Sequence, residues 1–339
     1  MYLLAPANAE QLIDRALWFK NPIARKLHDE KGVEFGFELK GEPETINPPA
    51  GGAPPLYWGY HLPDYFATKW YYHPEKRQEL LASISHLPSL KPAYVNVHGI
   101  HLWWQPKAKE YINRYANRSE PEEYLKVLNS NIELIKQLKE VFQDVPLTLE
   151  NYPLYSYYQE DGRLLPITYL YTGTGRLDDI LYLKEKTGID ILLDIEHLIL
   201  TLNFLNRERN YSDLPVEKVQ NPNQDLLKIF GFVLAKDVIP YAPKKVKLED
   251  MIRKIGAKHY HVTGSVQDVI PGKKILTHEP IEVSDKVFRK NLRFVLAENP
   301  ETILVETADS TIDPCWHYLR PNETELSFYA LCEILLEEL

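Results

Sequence analysis

The sequence predicts an α/β protein, a closed (β/α)8 barrel of parallel strands with a long insertion after the sixth strand. Three observations predict it. Eight short apolar or β-branched runs can be marked along the chain, amphipathic helical patterns separate most of them, and carboxylates and imidazoles gather where the runs end. A parallel strand covered on both faces reads as a continuous apolar run, because neither face meets water. Ile191–Leu200, ILLDIEHLIL, starts that way and then brings in Asp194, Glu196 and His197. In a barrel of parallel strands the carboxyl ends of the strands floor the active site, so charge at that point is read as chemistry.

The elements follow in order. Strand one is Tyr2–Ala5, followed by a helix over Ala9–Phe19. Strand two, Val33–Leu39, carries Glu38 close to its end, and the loop after it, Gly41–Pro55, is too rich in Pro and Gly to be helical. Strand three is Leu56–His61, with a helix over Pro74–Leu87 leading to strand four, Ala93–His98. The next helix, Pro121–Phe142, is opened by the capping-box pair Ser119 and Glu122. Strand five is Val145–Glu150. GTGRLDD, Gly173–Asp179, lacks the lysine and full glycine pattern of a phosphate loop and reads as the start of a helix over Arg176–Lys186. Strand six is Ile189–Asp194. An insertion over about 203–257 follows, irregular over Asn203–Pro215 and helical near Gln224–Leu234 and Lys247–Ile255. So long a connection after a barrel strand lies at the mouth, where it can act as a lid or pack around the outer ring. Strand seven is His259–Val262, strand eight Ile303–Glu306, with helices over Asp285–Ala297 and Glu323–Leu339. The expectation is one domain, 1–339.

Composition narrows the function classes. With 339 residues, 44% apolar and 12% aromatic, the chain can bury a sizeable core. A formal charge of −9 and a pI near 5.7 give no basic footprint for nucleic acid. Cys315 and Cys332 are the only cysteines, which excludes a disulfide scaffold and a thiolate zinc site and fits a reducing cytoplasm. MYLLAPANAEQL lacks the basic start of a secretory signal, and no apolar run is long enough to span a bilayer. A cytoplasmic enzyme with a small-molecule substrate, able to form a homo-oligomer, is the expectation.

The strand ends carry the argument. Strand three ends in His61, four in His98 with His101 beyond it, five in Glu150, six in Asp194 and His197, seven in His259 and His261, and eight in Glu306, while ILTHEPI adds His278. Seven of the eleven histidines fall at or just past these ends. A lone histidine is ordinarily a surface or hydrogen-bonded core residue. A barrel makes its strand ends converge, however, and several buried carboxylates there cannot stay ionised without compensation. Lys and Arg are scarce at these positions, and imidazole with carboxylate is a metal-ligand set. Oxygen and nitrogen donors without thiolate admit zinc, manganese, iron, cobalt or magnesium. One ion can be held by Glu150, Asp194, His261 and Glu306. A second becomes feasible if Glu150 bridges to His61 and His98.

These residues resemble the xylose isomerase-like TIM-barrel superfamily, which includes sugar isomerases and epimerases, endonuclease IV and multinuclear non-haem iron oxidases that modify peptides. The resemblance runs from about Leu56 to Glu306. Its shared Glu, Asp, His and Glu fall on Glu150, Asp194, His261 and Glu306. For the epimerases that implies one metal, with Glu150 and Glu306 moving the proton and His197 placing substrate. Endonuclease IV adds ligands that fall on His61, His98, His197 and His278, but its Asp two residues before the last is Leu276 here. The iron oxidases resemble this chain in LENYP, LLD, HVTGS and THEPI, although their two asparagines after the strand-six Asp are here Glu196 and His197.

Three readings therefore stay open: a metal-dependent isomerase or epimerase of a small sugar-like or polyol substrate; a multi-metal enzyme with two or three ions, either an iron oxidase acting on a peptide or a phosphodiesterase; and a barrel without activity that serves as a binding module. Among supporting residues, Trp58, Trp103 and Trp104 suit either an aromatic wall or core packing. His101 and His259 are second choices as ligands, or suit roles behind the ligands. Asn151 is a candidate to bind substrate or brace Glu150. Glu38 is read as a salt-bridge partner of Lys40 or a lid residue ahead of an acid or base, and Arg207 and Arg209 as solvent-exposed ahead of anion-binding.

Overall fold

The computed structural model describes residues 1–8, 10–46, 57–63, 65–100, 121–153, 155–160, 163–168, 177–205, 246–264, 278–307 and 322–339. Its strands are β1 (Tyr2–Ala7), β2 (Glu34–Lys40), β3 (Tyr57–His61), β4 (Tyr94–His98), β5 (Leu147–Glu150), β6 (Tyr155–Glu160), β7 (Arg163–Thr168), β8 (Asp190–Asp194), β9 (His259–Val262) and β10 (Thr302–Val305). Eight of them close a parallel barrel in the order β1-β10-β9-β8-β5-β4-β3-β2, with β2 returning to β1. This is the (β/α)8 architecture expected from the sequence. The other two, β6 and β7, form an antiparallel hairpin in the connection after β5, which the sequence pattern did not reveal.

Alternation along each strand explains how the barrel is filled. On β4, Tyr94, Asn96 and His98 share the inner face, while Val95 and Val97 pack outward in the main core between strands and helices. Low in the barrel, Leu4, Tyr94, Leu192 and Leu304 form a separate apolar plug, each 1% exposed or less. Above it the inner positions turn polar. On β2 the inner Glu38 and Lys40 alternate with Phe37 and Leu39, which belong to the main core, where Phe35, Phe37 and Phe328 surround the ring of Phe19. Gly59 on β3 must lack a side chain, because a Cβ there would lie 2.3 Å from the ring of Tyr94.

The helices depart from the sequence pattern in four places. After β8, which ends at Asp194 as expected, the rest of ILLDIEHLIL is a helix that runs over Ile195–Leu205, into the segment read as the irregular start of the insertion. Asp194 Oδ1 accepts the His197 N–H at 2.7 Å, which caps the helix and fixes the break. A helix at Pro22–Lys31, opened by the Asn21 side chain on the Ile23 N–H, and another at Tyr65–Tyr72 had no counterpart in the reading. The helix Pro74–Leu87 is a 3-10 turn, Pro74–Lys76, followed by an α-helix over Arg77–Ile84. The second insertion helix is present as Leu248–Ile255, whereas residues 224–234 lie outside the described residues, as do His101, Trp103, Trp104, Ser119, Arg207, Arg209, Leu276, Cys315 and much of the Gly41–Pro55 loop. No helix among the described residues is long and apolar enough to cross a membrane.

Candidate metal centre

Strand register brings the candidate ligands together. His98 on β4 is the register partner of Glu150 on β5, and Asp194 on β8 that of His261 on β9. Glu306 follows β10 directly, its N–H continuing the ladder to Val262 O at 2.9 Å. Among the described residues two sets of donor atoms each lie within 4.8 Å of one another: His61, His98 and Glu150, and Glu150, Asp194, His261 and Glu306. Glu150 belongs to both. One of its oxygens, Oε2, lies 3.0 Å from His61 Nε2 and 3.6 Å from His98 Nε2, and the other, Oε1, lies 3.5 Å from His261 Nδ1.

A layer of hydrogen bonds orients these groups from below and behind. Asn96 donates to Glu150 Oε2 at 2.5 Å and itself accepts from Thr148 Oγ1 at 3.0 Å. His61 donates from Nδ1 to Leu62 O at 2.8 Å, which fixes the ring so that Nε2 faces Glu150 Oε2 at 3.0 Å. Asn151 does not brace Glu150. Instead it clamps the backbone of Asp194, accepting its N–H at 2.7 Å and donating to its carbonyl at 3.0 Å.

The electrostatics divide the carboxylates of the site. Burial would raise the Glu150 carboxyl, but the imidazoles of His98, His261 and His61 outweigh it and hold the group well below the usual carboxylate range. Glu306 behaves alike, with His261 and Lys40 overcoming burial. Burial pushes Asp194 up to about 7; His197 opposes that rise, and the charges of Glu306, Glu196 and Glu150 add to it. Asp194 Oδ2, Glu306 Oε2 and His261 Nδ1 are buried without a hydrogen-bond partner, although the last two lie only 2.6 Å apart. Carboxylate oxygens and a ring nitrogen that converge to within 4.8 Å of one another are what ligands of a shared cation look like. The donor set fits a divalent ion and contains no thiolate.

Other predicted residues sit apart from the two sets. His197, on the first turn of its helix, donates from Nδ1 to Asn151 O at 2.7 Å and stands 3.9 Å from both Glu150 Oε1 and Asp194 Oδ2. His278 is tied to Glu196, whose carboxylate accepts its backbone N–H at 2.9 Å and faces its Nδ1 at 3.1 Å. Trp58 lies on the outer face of β3 with Tyr60, in the main core, so it is packing and not an aromatic wall. His259 bonds Thr302 Oγ1 at 3.0 Å and packs on the Tyr94 ring, one layer below His261. Tyr152, inside the quoted LENYP, escaped the sequence reading and packs between His98 and His197, while Lys40 pairs with Glu306 where Glu38 was expected to be its partner.

The fold is that of a TIM barrel. Solved structures similar to this barrel include the following two. A D-tagatose 3-epimerase-like protein is 14% identical, covering 100% of this chain and 98% of that one at a TM-score of 0.44. A xylose isomerase-like TIM barrel protein from Mycobacterium smegmatis, in complex with magnesium, is 12% identical, covering 92% of this chain and 78% of that one at a TM-score of 0.39. No family model matches the sequence, and no curated protein matches it.

Proposed function

We propose that the chain is a metal-dependent barrel enzyme that isomerises or epimerises a small sugar-like or polyol substrate by moving a proton at carbon. Glu150, Asp194, His261 and Glu306 would hold the ion. When bound, a divalent ion supplies Lewis-acid polarisation of neighbouring substrate oxygens. The observation that carries the reading is the asymmetry of this quartet. Glu150, Asp194 and His261 are no more than 1% exposed, whereas Glu306 is 17% exposed at the mouth, where a substrate carbon can reach it.

Glu306 is then the base. It takes the proton from a carbon beside the polarised oxygens, the electron pair of the broken C–H bond passes into the adjoining carbon–oxygen system, and no net oxidation occurs. Return of the proton to the neighbouring carbon gives an isomer. Delivery from the opposite face by Glu150, once it has taken up a proton from solvent in exchange for the one held by Glu306, gives an epimer. His197, beside Asp194, orients a substrate hydroxyl in this reading. The test is incubation of the metal-loaded protein with aldoses, ketoses and their phosphates in D2O, followed by NMR. Incorporation of solvent deuterium at one carbon is expected, and its absence across the panel would contradict the reading.

A second reading is favoured by the set His61, His98 and Glu150. A second ion there would make Glu150 a bridge and suit a multi-metal enzyme, either an iron oxidase acting on a peptide or a phosphodiesterase. Two or three iron atoms per chain would favour the former, and two or three zinc atoms the latter.

A further inference from the structure

Behind His261, on the side away from Glu150 and Glu306, stands a carboxylate that the proposed chemistry does not use. Glu38 is fully buried on β2, and its Oε2 lies 3.1 Å from His261 Nε2. The same oxygen accepts the hydroxyl of Tyr94 at 2.6 Å. Tyr94 reaches it because Gly59, the register partner of Glu38 on β3, leaves room for the phenol ring. An ionised carboxylate only accepts, so the Nε2 contact is a donation from the imidazole. The other ring nitrogen, Nδ1, is the atom that faces Glu150 Oε1 at 3.5 Å and Glu306 Oε2 at 2.6 Å.

We propose that Glu38 is a positioning residue of the metal centre: it holds the Nε2–H of His261, fixes the plane of the ring, and so commits Nδ1 to the ion. The inference rests on the proposed metal site. With the Nε2–H held by Glu38, Nδ1 is the ring nitrogen whose lone pair is left for the ion. The arrangement is a carboxylate–histidine–metal relay, in which the outer partner sets tautomer and orientation and raises the basicity of the ligand. It also explains three residues together. Glu38 supplies the acceptor, Tyr94 locks that acceptor in place, and the bare Cα of Gly59 admits Tyr94.

The experiment uses the full chain and cobalt(II) alone, with affinity measured by titration and the ligand field read from the visible absorption. Glu38→Gln should weaken binding by roughly 10- to 100-fold, the range typical of outer partners of metal-bound histidines. It should also move the cobalt bands, with the metal-free melting temperature recorded to separate this from a loss of fold. Tyr94→Phe, which removes only the hydroxyl that locks the carboxylate, should move the bands in the same direction and decides the matter if Glu38→Gln does not fold. Unchanged affinity and unchanged bands in a folded Glu38→Gln, or in Tyr94→Phe where that variant decides, would overturn the assignment. Wild-type protein that binds no cobalt would overturn the metal site itself, which is a separate result.

Discussion

Lys40 Nζ, at the end of β2, forms an ion pair with Glu306 Oε1, 266 residues further along the chain and across the intervening β1. It places a cation against the most open ligand of the quartet. Burial alone would lower the Lys40 pKa, but the carboxylates of Glu306, Glu38 and Glu150 raise it, so the ammonium stays charged and competes with an incoming ion. Lys40→Met should therefore tighten binding of a divalent ion, by up to about five-fold given that the side chain keeps solvent contact. Isothermal titration reads the change, and weaker binding would mean that Lys40 supports the ligand geometry.

Glu150 is the residue that both donor sets share. Glu150→Gln should cost more than about 100-fold in metal affinity, beyond the range seen when only an outer partner is lost. Metal analysis after dialysis decides it, and full retention of metal would remove Glu150 from the centre.

The raised pKa of Asp194, about 7, sets a pH dependence. The folded value lies above the ordinary carboxylate value of about 3.9, so the neutral carboxyl stabilises the metal-free fold. That contribution is complete below about pH 4 and is lost as pH rises through about 7. An ion binds only the deprotonated group, so affinity should fall by at least about ten-fold for each pH unit below 7, as expected when binding releases a proton. Titrations at several pH values test this. A flat profile would mean that Asp194 is ionised without the metal, or is no ligand.

His278 lies outside both donor sets and is held by Glu196. His278→Ala should leave the affinity of the quartet within about two-fold, because His278 lies outside both donor sets and its charge reaches Asp194 against the opposing charge of Glu196. Loss of one equivalent of metal would instead make His278 a ligand, as the resemblance to endonuclease IV implies.

Much of this was legible in the sequence because parallel strands buried on both faces write themselves as apolar runs. His259–Val262 is β9 to the residue, and the ends of β5 and β8 fall at Glu150 and Asp194 as expected. The same rule hid the helix Ile195–Leu205: an apolar strand leading into an apolar, buried helix leaves no change of period, and only the cap formed by Asp194 marks the boundary. Pro22–Lys31 went unread for the opposite reason, since it buries only Ala24 and Leu27 and shows a thin apolar stripe. Glu38 and Lys40 were visible as neighbours on one strand, which suggested that they pair. Because both point inward, each meets a residue of another strand, Glu38 meeting His261 and Lys40 meeting Glu306. Pairing across a closed barrel depends on strand order and shear, and a linear pattern does not carry either.

The most direct measurement is the metal content of the wild-type chain, purified without chelators and reconstituted with manganese, cobalt, zinc, iron or magnesium, beside Glu150→Gln treated alike. At least one tightly held divalent ion per wild-type chain, lost in the variant, is the expected result. A wild-type chain that retains no ion after reconstitution with any of them would contradict the metal centre and the chemistry proposed to rest on it.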